Sequence, residues 1–259
     1  MHIFISGATG RNGNIVLSNA LLRGHSVTVL ARNPSSSSLP SHPNLTIIQG
    51  IQTTLKNTAT SPSVNAMLMF QTGTPFSQQD VQKALTTPQP PTAIITTLNQ
   101  RRTSENPFSP LSPDSPPNLL ATTTKVLLAA LTALLQTQPQ VFPSEAAAPK
   151  IIVNSLFGAR ESFDSLFWPV RAVMHHSTMK FAIKDHNEMD RLIRESGFTF
   201  VFARAARLIE GSAGEVRVWP DDGRGCGWNA VVSRESLGAW MVSAAESDEW
   251  DGRAPVLTS

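Results

Sequence analysis

Three glycines open the chain's chemistry. They stand in the run Gly7-Ala8-Thr9-Gly10-Arg11-Asn12-Gly13, directly after the apolar residues 2–6 and directly before a stretch with helical spacing. A glycine permits a tight turn, a second lets backbone approach a phosphate, and a third lets the following helix pack close to the strand. The start of that helix offers unpaired N–H groups and a positive dipole end, which suit a pyrophosphate. The spacing is GxxGxxG rather than GxGxxG, but the strand–turn–helix context is the one dinucleotide binding requires. A second apolar run ends in Leu30-Ala31-Arg32-Asn33, with no acidic residue. An acid there would bond the ribose 2′-hydroxyl of NAD. Arg32 instead offers a charge-assisted grip on a 2′-phosphate, with Arg11 reaching from inside the turn. The cofactor expected is therefore NADP(H).

What is missing narrows the chemistry further. The chain has no tyrosine and one cysteine, Cys226, so neither a disulfide framework nor a multi-cysteine zinc site is available. His175 and His176 are adjacent and point about 100° apart on a helix, a poor metal pair. There is no HExxH, Walker lysine motif or GxSxG elbow, and no metal site is expected. A net charge of +2 over 259 residues argues against a nucleic-acid partner. No apolar run reaches about 18 residues, so no membrane span is expected, and no secretory pattern precedes the first glycine. The expectation is a cytoplasmic monomer or homodimer acting on a small molecule.

The elements that must position these groups alternate. Apolar runs at residues 2–6, 26–31, 45–49, 92–98, 150–155 and 199–203 read as core strands, with a further strand at 64–70 and a short one at 255–258. Helical spacing covers 14–23, 77–85 capped by Ser77, 118–136, 176–195, and 233–245 capped by Ser233. Alternating strands and helices imply a Rossmann-like, doubly wound parallel sheet with helices on both faces. Most of the 19 prolines fall between Pro34 and Pro143, whereas all 5 tryptophans lie from Trp168 onward. Segments rich in Ser, Thr and Pro at about 34–44, 52–76 and 100–117 read as solvated loop insertions in one domain spanning 1–259. Phe163, Phe167, Trp168 and Val170 form an apolar cluster after the fifth strand, suited to a pocket.

The segments GATGRNG, SVTVLARNP, IIVNSLFG and KDHNEMDRLIRESGFTFVFARAARL, with the closing VVSRESLGAWMVSAAESDEWDGRAPVLTS, resemble the NAD(P)-binding atypical short-chain dehydrogenase/reductases. The likeness is to their NmrA-like and biliverdin-IXβ/flavin-reductase-like branch. It implies that Ser155 and Phe157, after the fifth strand, lie beside the nicotinamide, Ser155 bonding a carbonyl or the carboxamide and Phe157 walling off the ring. It implies that Thr97 and Leu98 pass the adenosine ribose and diphosphate. Because the usual tyrosine acid of short-chain dehydrogenases is absent, Lys184, four residues after Lys180, and His186 in the Asp185-His186 pair become the candidate proton donors. Two departures stand out: Arg204-Ala205-Ala206-Arg207 replaces a proline-containing segment, and Gly50-Ile51 lacks the aspartate that commonly follows glycine there.

Three activities fit. The first is an NADPH-dependent reductase of a conjugated or aromatic small molecule such as a quinone, flavin, tetrapyrrole or polyketide intermediate, the insertions being reminiscent of fungal secondary metabolism. The second is a non-redox isomerase, dehydratase or cyclase on the same scaffold. The third is an NmrA-like dinucleotide-sensing regulator without catalysis.

Overall fold

The computed structural model describes residues 1–31, 39–49, 75–142 and 148–259. The expected strand at 64–70, the insertion at 52–76 apart from its last two residues, and Arg32 lie outside the described residues. Eight strands form the main sheet: β1 His2–Ser6, β2 Ser26–Ala31, β3 Leu45–Gln49, β4 Ala93–Thr96, β5 Lys150–Leu156, β6 Phe200–Ala205, β8 Arg217–Trp219 and β10 Val256–Thr258. Their spatial order is β3-β2-β1-β4-β5-β6-β10-β8. All neighbours run parallel except β8, which pairs antiparallel with β10. Strands β7 Arg207–Ile209 and β9 Val231–Ser233 form a separate parallel pair.

Strands covered on both faces need apolar side chains at consecutive positions, and β1, β4 and β5 supply them. Ile3, Ile5, Ile95 and Ile152 face one way, onto α1 Arg11–Leu22 and α6 Arg234–Glu246 through Val16, Leu17, Leu237 and Met241. Phe4, Ile94, Ile151 and Val153 face the other way, onto α2 Gln78–Thr86, α3 Leu119–Thr137 and α5 Met179–Glu195. This is the doubly wound α/β fold expected. The order reverses between β1, whose chain turns toward β2, and β4, whose chain turns toward β5. Ligands of such sheets bind outside the carboxyl ends of the strands at that crevice.

Helix caps follow the sequence. Ser77 accepts from the Asp80 N–H at 3.3 Å, and Ser233 accepts from the Ser236 N–H at 3.0 Å. The helix expected over 176–195 is α5, which begins at Met179, and a further helix that went unread precedes it: α4 Trp168–His176, with Pro169 in its first turn. The chain breaks at Ser177, which is extended with φ −107° and ψ −176°. Of α4, only Met174 is buried, so its spacing carries no continuous core stripe, and its start escapes a periodicity reading. Strands β7, β8 and β9 also go unread, because three residues are too few to show alternation.

Helix α3 has 19 residues and a mean hydropathy of 1.5, enough by length and composition to cross a membrane, where the sequence reading expected no such segment. Here it packs between α2 and α5, with Leu120, Leu127, Leu131 and Leu134 buried. Leu131 has no exposed surface. Truncating it leaves a cavity in addition to the lost burial. Leu131→Ala is expected to lower the unfolding free energy by about 2–5 kcal/mol in urea denaturation, with an unchanged denaturant slope.

Candidate functional site

The glycine turn lies at the carboxyl end of β1, facing β4 across the crevice. Gly7 has φ +92°, the left-handed region that favours glycine. A Cβ on Gly7 would meet Thr97 Oγ1 at 2.9 Å and Leu98 N at 3.0 Å. A Cβ on Gly13 would lie 2.0 Å from the Gly7 carbonyl oxygen. The turn closes with Gly10 N donating to Gly7 O at 3.0 Å. Thr97 is held in the crevice by its N–H and its hydroxyl, both donating to Ser6 O, at 2.9 and 3.2 Å.

The fit to a dinucleotide rests on the start of α1. Gly10 occupies the N-cap, no side chain caps it, and no acidic residue stands in the first turn. The first N–H groups therefore keep their capacity for an anion. Thr9, Gly10 and Arg11 are exposed, so a ligand reaches these amides. Asn12 is fixed by Arg234 at the start of α6, whose Nη1 donates to Asn12 Oδ1 at 2.6 Å while its Nε donates to Glu210 at 2.8 Å. Arg11 lies 3.5 Å from Glu105 and 3.7 Å from Glu210. Among the expected nucleotide residues, Gly7, Thr9, Gly10, Arg11, Asn12, Gly13, Thr97 and Leu98 thus share one crevice.

Beside it opens a cleft of about 710 Å³. Its apolar walls include Leu156, Phe157, Leu166, Phe167, Met174 and Trp228. Phe157 continues from β5, its N–H donating to Ala205 O at 2.8 Å. Gly223, at φ +72°, makes room for its ring: a Cβ there would sit 2.6 Å from Phe157 Cε2. Phe167 and Trp228 meet at the lip, with ring centroids 5.8 Å apart. The loop after β4 forms another wall. Gln100, Arg101, Arg102, Ser104, Glu105 and Leu111 all line the cleft, and a bridge between Arg102 and Leu111 folds the loop back on itself. Part of the segment 100–117 thus walls the site, while most of its residues stay exposed.

The three expected catalytic residues are not brought together. Ser155 is the next-to-last residue of β5, 3% exposed and next in sequence to Leu156 of the cleft without lining it, and its Oγ finds no partner among the described residues. Lys184 is exposed and lines a separate surface groove with Phe163, Lys180 and Glu188. His186 has no exposed surface, and both its ring nitrogens lack a partner among the described residues. Burial, reinforced by the nearby Arg204 guanidinium, pulls its pKa down to about 3. Neither Lys184 nor His186 is among the residues of the Phe157 cleft. Of the expected apolar cluster, Phe167 and Val170 line the cleft, whereas Phe163 lines the other groove.

Asp185 has a structural task. It accepts from the Leu120 and Ala121 N–H groups at 2.8 and 2.9 Å, capping α3 from a neighbouring helix, and from Gln100 Nε2 at 2.8 Å. Burial raises its pKa, and those three donors pull against the rise. Arg204, wholly buried, bonds Asp190 Oδ2 at 3.1 Å and the Asp221 carbonyl at 2.7 Å, and pairs with Glu161 at 3.1 Å. Arg194 joins Asp190 at 2.7 Å. This network ties α5 and the short 3-10 helix Arg160–Ser165 to β6, below the cleft floor.

The sequence reading missed Arg102, Arg207, Arg234, Met174 and Trp228. Only Arg207 carried a signal, as part of the unusual Arg204–Arg207 segment. The rest come from loops and helix ends that tertiary folding alone brings to the site.

His186 yields a pH test. The unfolded imidazole binds a proton below about pH 6.5, whereas the folded one stays neutral down to about pH 3. Between these values the unfolded state binds the extra proton, so stability falls as pH falls. His186→Leu removes that difference. The gap between wild type and variant is expected to change by about 1.4 kcal/mol per pH unit between pH 6 and pH 4, to the cost of wild type, and to stay constant above pH 7. Parallel denaturation curves across that range would show that His186 finds a partner in solution.

Among solved structures, the anaerobillin reductase ChuY from Escherichia coli O157:H7 is similar at 13% identity, covering 100% of this chain and 97% of that one, with a TM-score of 0.67. A protein assigned as an epimerase from Bacteroides thetaiotaomicron is similar at 16% identity, with 99% and 96% covered and a TM-score of 0.65. A protein assigned as an NADH-flavin reductase from Streptococcus pneumoniae TIGR4 is similar at 16% identity, with 100% and 99% covered and a TM-score of 0.60. At these identities the likeness is one of fold. The comparison with curated proteins finds no match. The family model described as NAD(P)H-binding matches residues 7–248, from the first glycine of the turn to just past α6, and the chain belongs to that NAD(P)H-binding family.

Proposed function

We propose that the protein is an NADPH-dependent reductase of a conjugated or aromatic small molecule, such as a quinone, flavin, tetrapyrrole or polyketide intermediate. The observation that carries the reading is the apolar cleft, which adjoins the glycine turn through Arg11 and is walled by Phe157. A reduced nicotinamide, when bound, supplies a hydride. The residues of this chain do the rest. The amides of Arg11 to Gly13 and the Arg11 guanidinium hold phosphate. Thr97 and Leu98 line the ribose side of the crevice. Phe157, seated against Gly223, excludes water from one face of the reacting rings. The unpaired Ser155 hydroxyl bonds the carboxamide or an acceptor carbonyl. No Lys or His side chain lines the cleft among the described residues, and the chain has no tyrosine. The proton that completes reduction therefore comes from water through the cleft mouth. Arg32 and Arg11 select the 2′-phosphate, and the similarity to structures named for reductases agrees with redox chemistry.

A non-redox reading has one point in its favour: a structure assigned as an epimerase has the same fold. It and the sensor reading both predict binding without net consumption of the dinucleotide.

Calorimetry with NADPH and NADH, followed by NADPH oxidation against a quinone and flavin panel, separates these readings. NADPH is expected to bind at least about tenfold more tightly than NADH, a preference worth about 1.4 kcal/mol. Arg32→Ala is expected to erase it. Turnover on any acceptor supports the reductase. Tight binding without turnover on the whole panel would move the assignment to the isomerase or the sensor.

A further inference from the structure

Beyond its apolar walls, the cleft is unevenly charged. Four arginines line it, Arg11, Arg101, Arg102 and Arg207, against one carboxylate, Glu105. Two of the four are accounted for. Arg11 sits between Glu105 and Glu210, and Arg101 pairs with Asp114. Arg102 and Arg207 have no carboxylate within salt-bridge distance among the described residues. Arg102 is half-buried, and its Nε is enclosed without a hydrogen-bond partner. Arg207 is fixed by its backbone, which pairs with Val231 and donates to Ala230 O at 3.3 Å, while its side chain lines the cleft.

Arg207 is poorly explained by the dinucleotide alone. Arg207 follows β6, three strands from β1 in the sheet order. At about 4.8 Å per strand, that is roughly 14 Å from the turn that would hold the pyrophosphate. Low-dielectric walls strengthen a charge interaction inside a cleft and focus its field on an entering ligand. Guanidinium groups present forked donors that match a carboxylate or sulfonate.

We propose that the acceptor is a flat apolar molecule carrying an acidic group, held between Phe157 and Trp228 with its carboxylate or sulfonate on Arg207 and Arg102. The proposal rests on the reductase reading for the word acceptor, but not for the ligand's chemistry. A quinone or flavin-like body fits the aromatic walls, and Arg207 and Arg102 select its acidic derivatives over neutral ones.

The test uses a matched pair of probes on the full chain saturated with NADPH: 1-anilinonaphthalene-8-sulfonate and its uncharged parent, N-phenyl-1-naphthylamine. The sulfonate is expected to bind about tenfold more tightly than the parent. Raising salt from 0.05 to 0.5 M should weaken only the sulfonate. In Arg207→Met and Arg102→Met the preference should fall severalfold, with affinity for the parent and for NADPH within about twofold of wild type. A preference that survives in both variants would overturn the proposal. So would a matching loss of NADPH affinity, which would assign the two arginines to the cofactor. In turnover, 1,4-naphthoquinone-2-sulfonate should be reduced with a lower KM than 1,4-naphthoquinone, and the advantage should vanish in Arg207→Met. If neither quinone is reduced while the probe preference holds, the reductase reading fails and the acid-binding cleft stands.

Discussion

Gly13 and Gly7 approach so closely that a single methyl group on Gly13 would lie 2.0 Å from the Gly7 carbonyl oxygen. That contact sets how near α1 comes to β1. It fixes where the first N–H groups of the helix point, and so where a phosphate can sit. The contact extends sideways, because the same methyl would also reach Thr97 Oγ1 at 2.7 Å. Thr97 in turn holds the crevice shut against Ser6. On the far side of α1, Gly238 of α6 leaves room for Ile15: a Cβ there would meet Ile15 Cγ2 at 2.5 Å. Helix α1 is therefore clamped between backbone on one side and a glycine on the other. The anion site is built from main chain, with few side chains to move.

The cleft obeys a different rule. Its aromatic walls come from short connections, yet they stand on rigid parts. Phe157 is an extension of β5, seated against Gly223 and pinned to Ala205. The buried Arg204, shared by Asp190, Glu161 and a backbone carbonyl, anchors the floor where α5 meets β6. Burying such a cation is tolerable only because carboxylates and carbonyls surround it. One consequence is electrostatic: the enclosed His186 beside it is held neutral. A histidine with no exposed surface, far below its ordinary pKa, is a packing residue in its charge behaviour. The residues that face the ligand are apolar rings and cations, a surface that binds and orients rather than one that carries an acid.

The parts of this fold that repeat were legible in the amino-acid order. Apolar runs placed β1, β2 and β3 to the residue, and Ser77 and Ser233 announced the helices they cap. The glycine run placed the turn at the start of α1, because its demands are local: a positive φ at Gly7 and missing side chains at Gly10 and Gly13. Where the candidate proton donors stand was not legible. Lys184 and His186 are two residues apart on one helix, and two steps turn a side chain by about 200°. One therefore reaches solvent and the other the sheet, and neither lines the cleft. The helix expected at 176–195 is α5, but α4 before it went unread, because its apolar Val170 and Met174 line the cleft instead of forming a core stripe. Arg102, Arg207 and Trp228 converge from two loops and the start of β7, and convergence of that kind is a property of the folded chain alone. The proposed preference for NADP(H) rests on the sequence chemistry of Arg32, which lies outside the described residues.

The account stands on one placement: a dinucleotide whose pyrophosphate lies on the α1 amides and whose nicotinamide reaches the Phe157 cleft. A crystal structure of the protein with NADPH measures it directly. The account predicts phosphate oxygens within hydrogen-bond distance, about 2.7–3.2 Å, of the backbone N–H groups at Arg11 to Gly13. It also predicts the nicotinamide ring packed on Phe157 with its reacting carbon open to the cleft. A dinucleotide bound with its pyrophosphate away from that turn, or with its nicotinamide turned from Phe157, would contradict it.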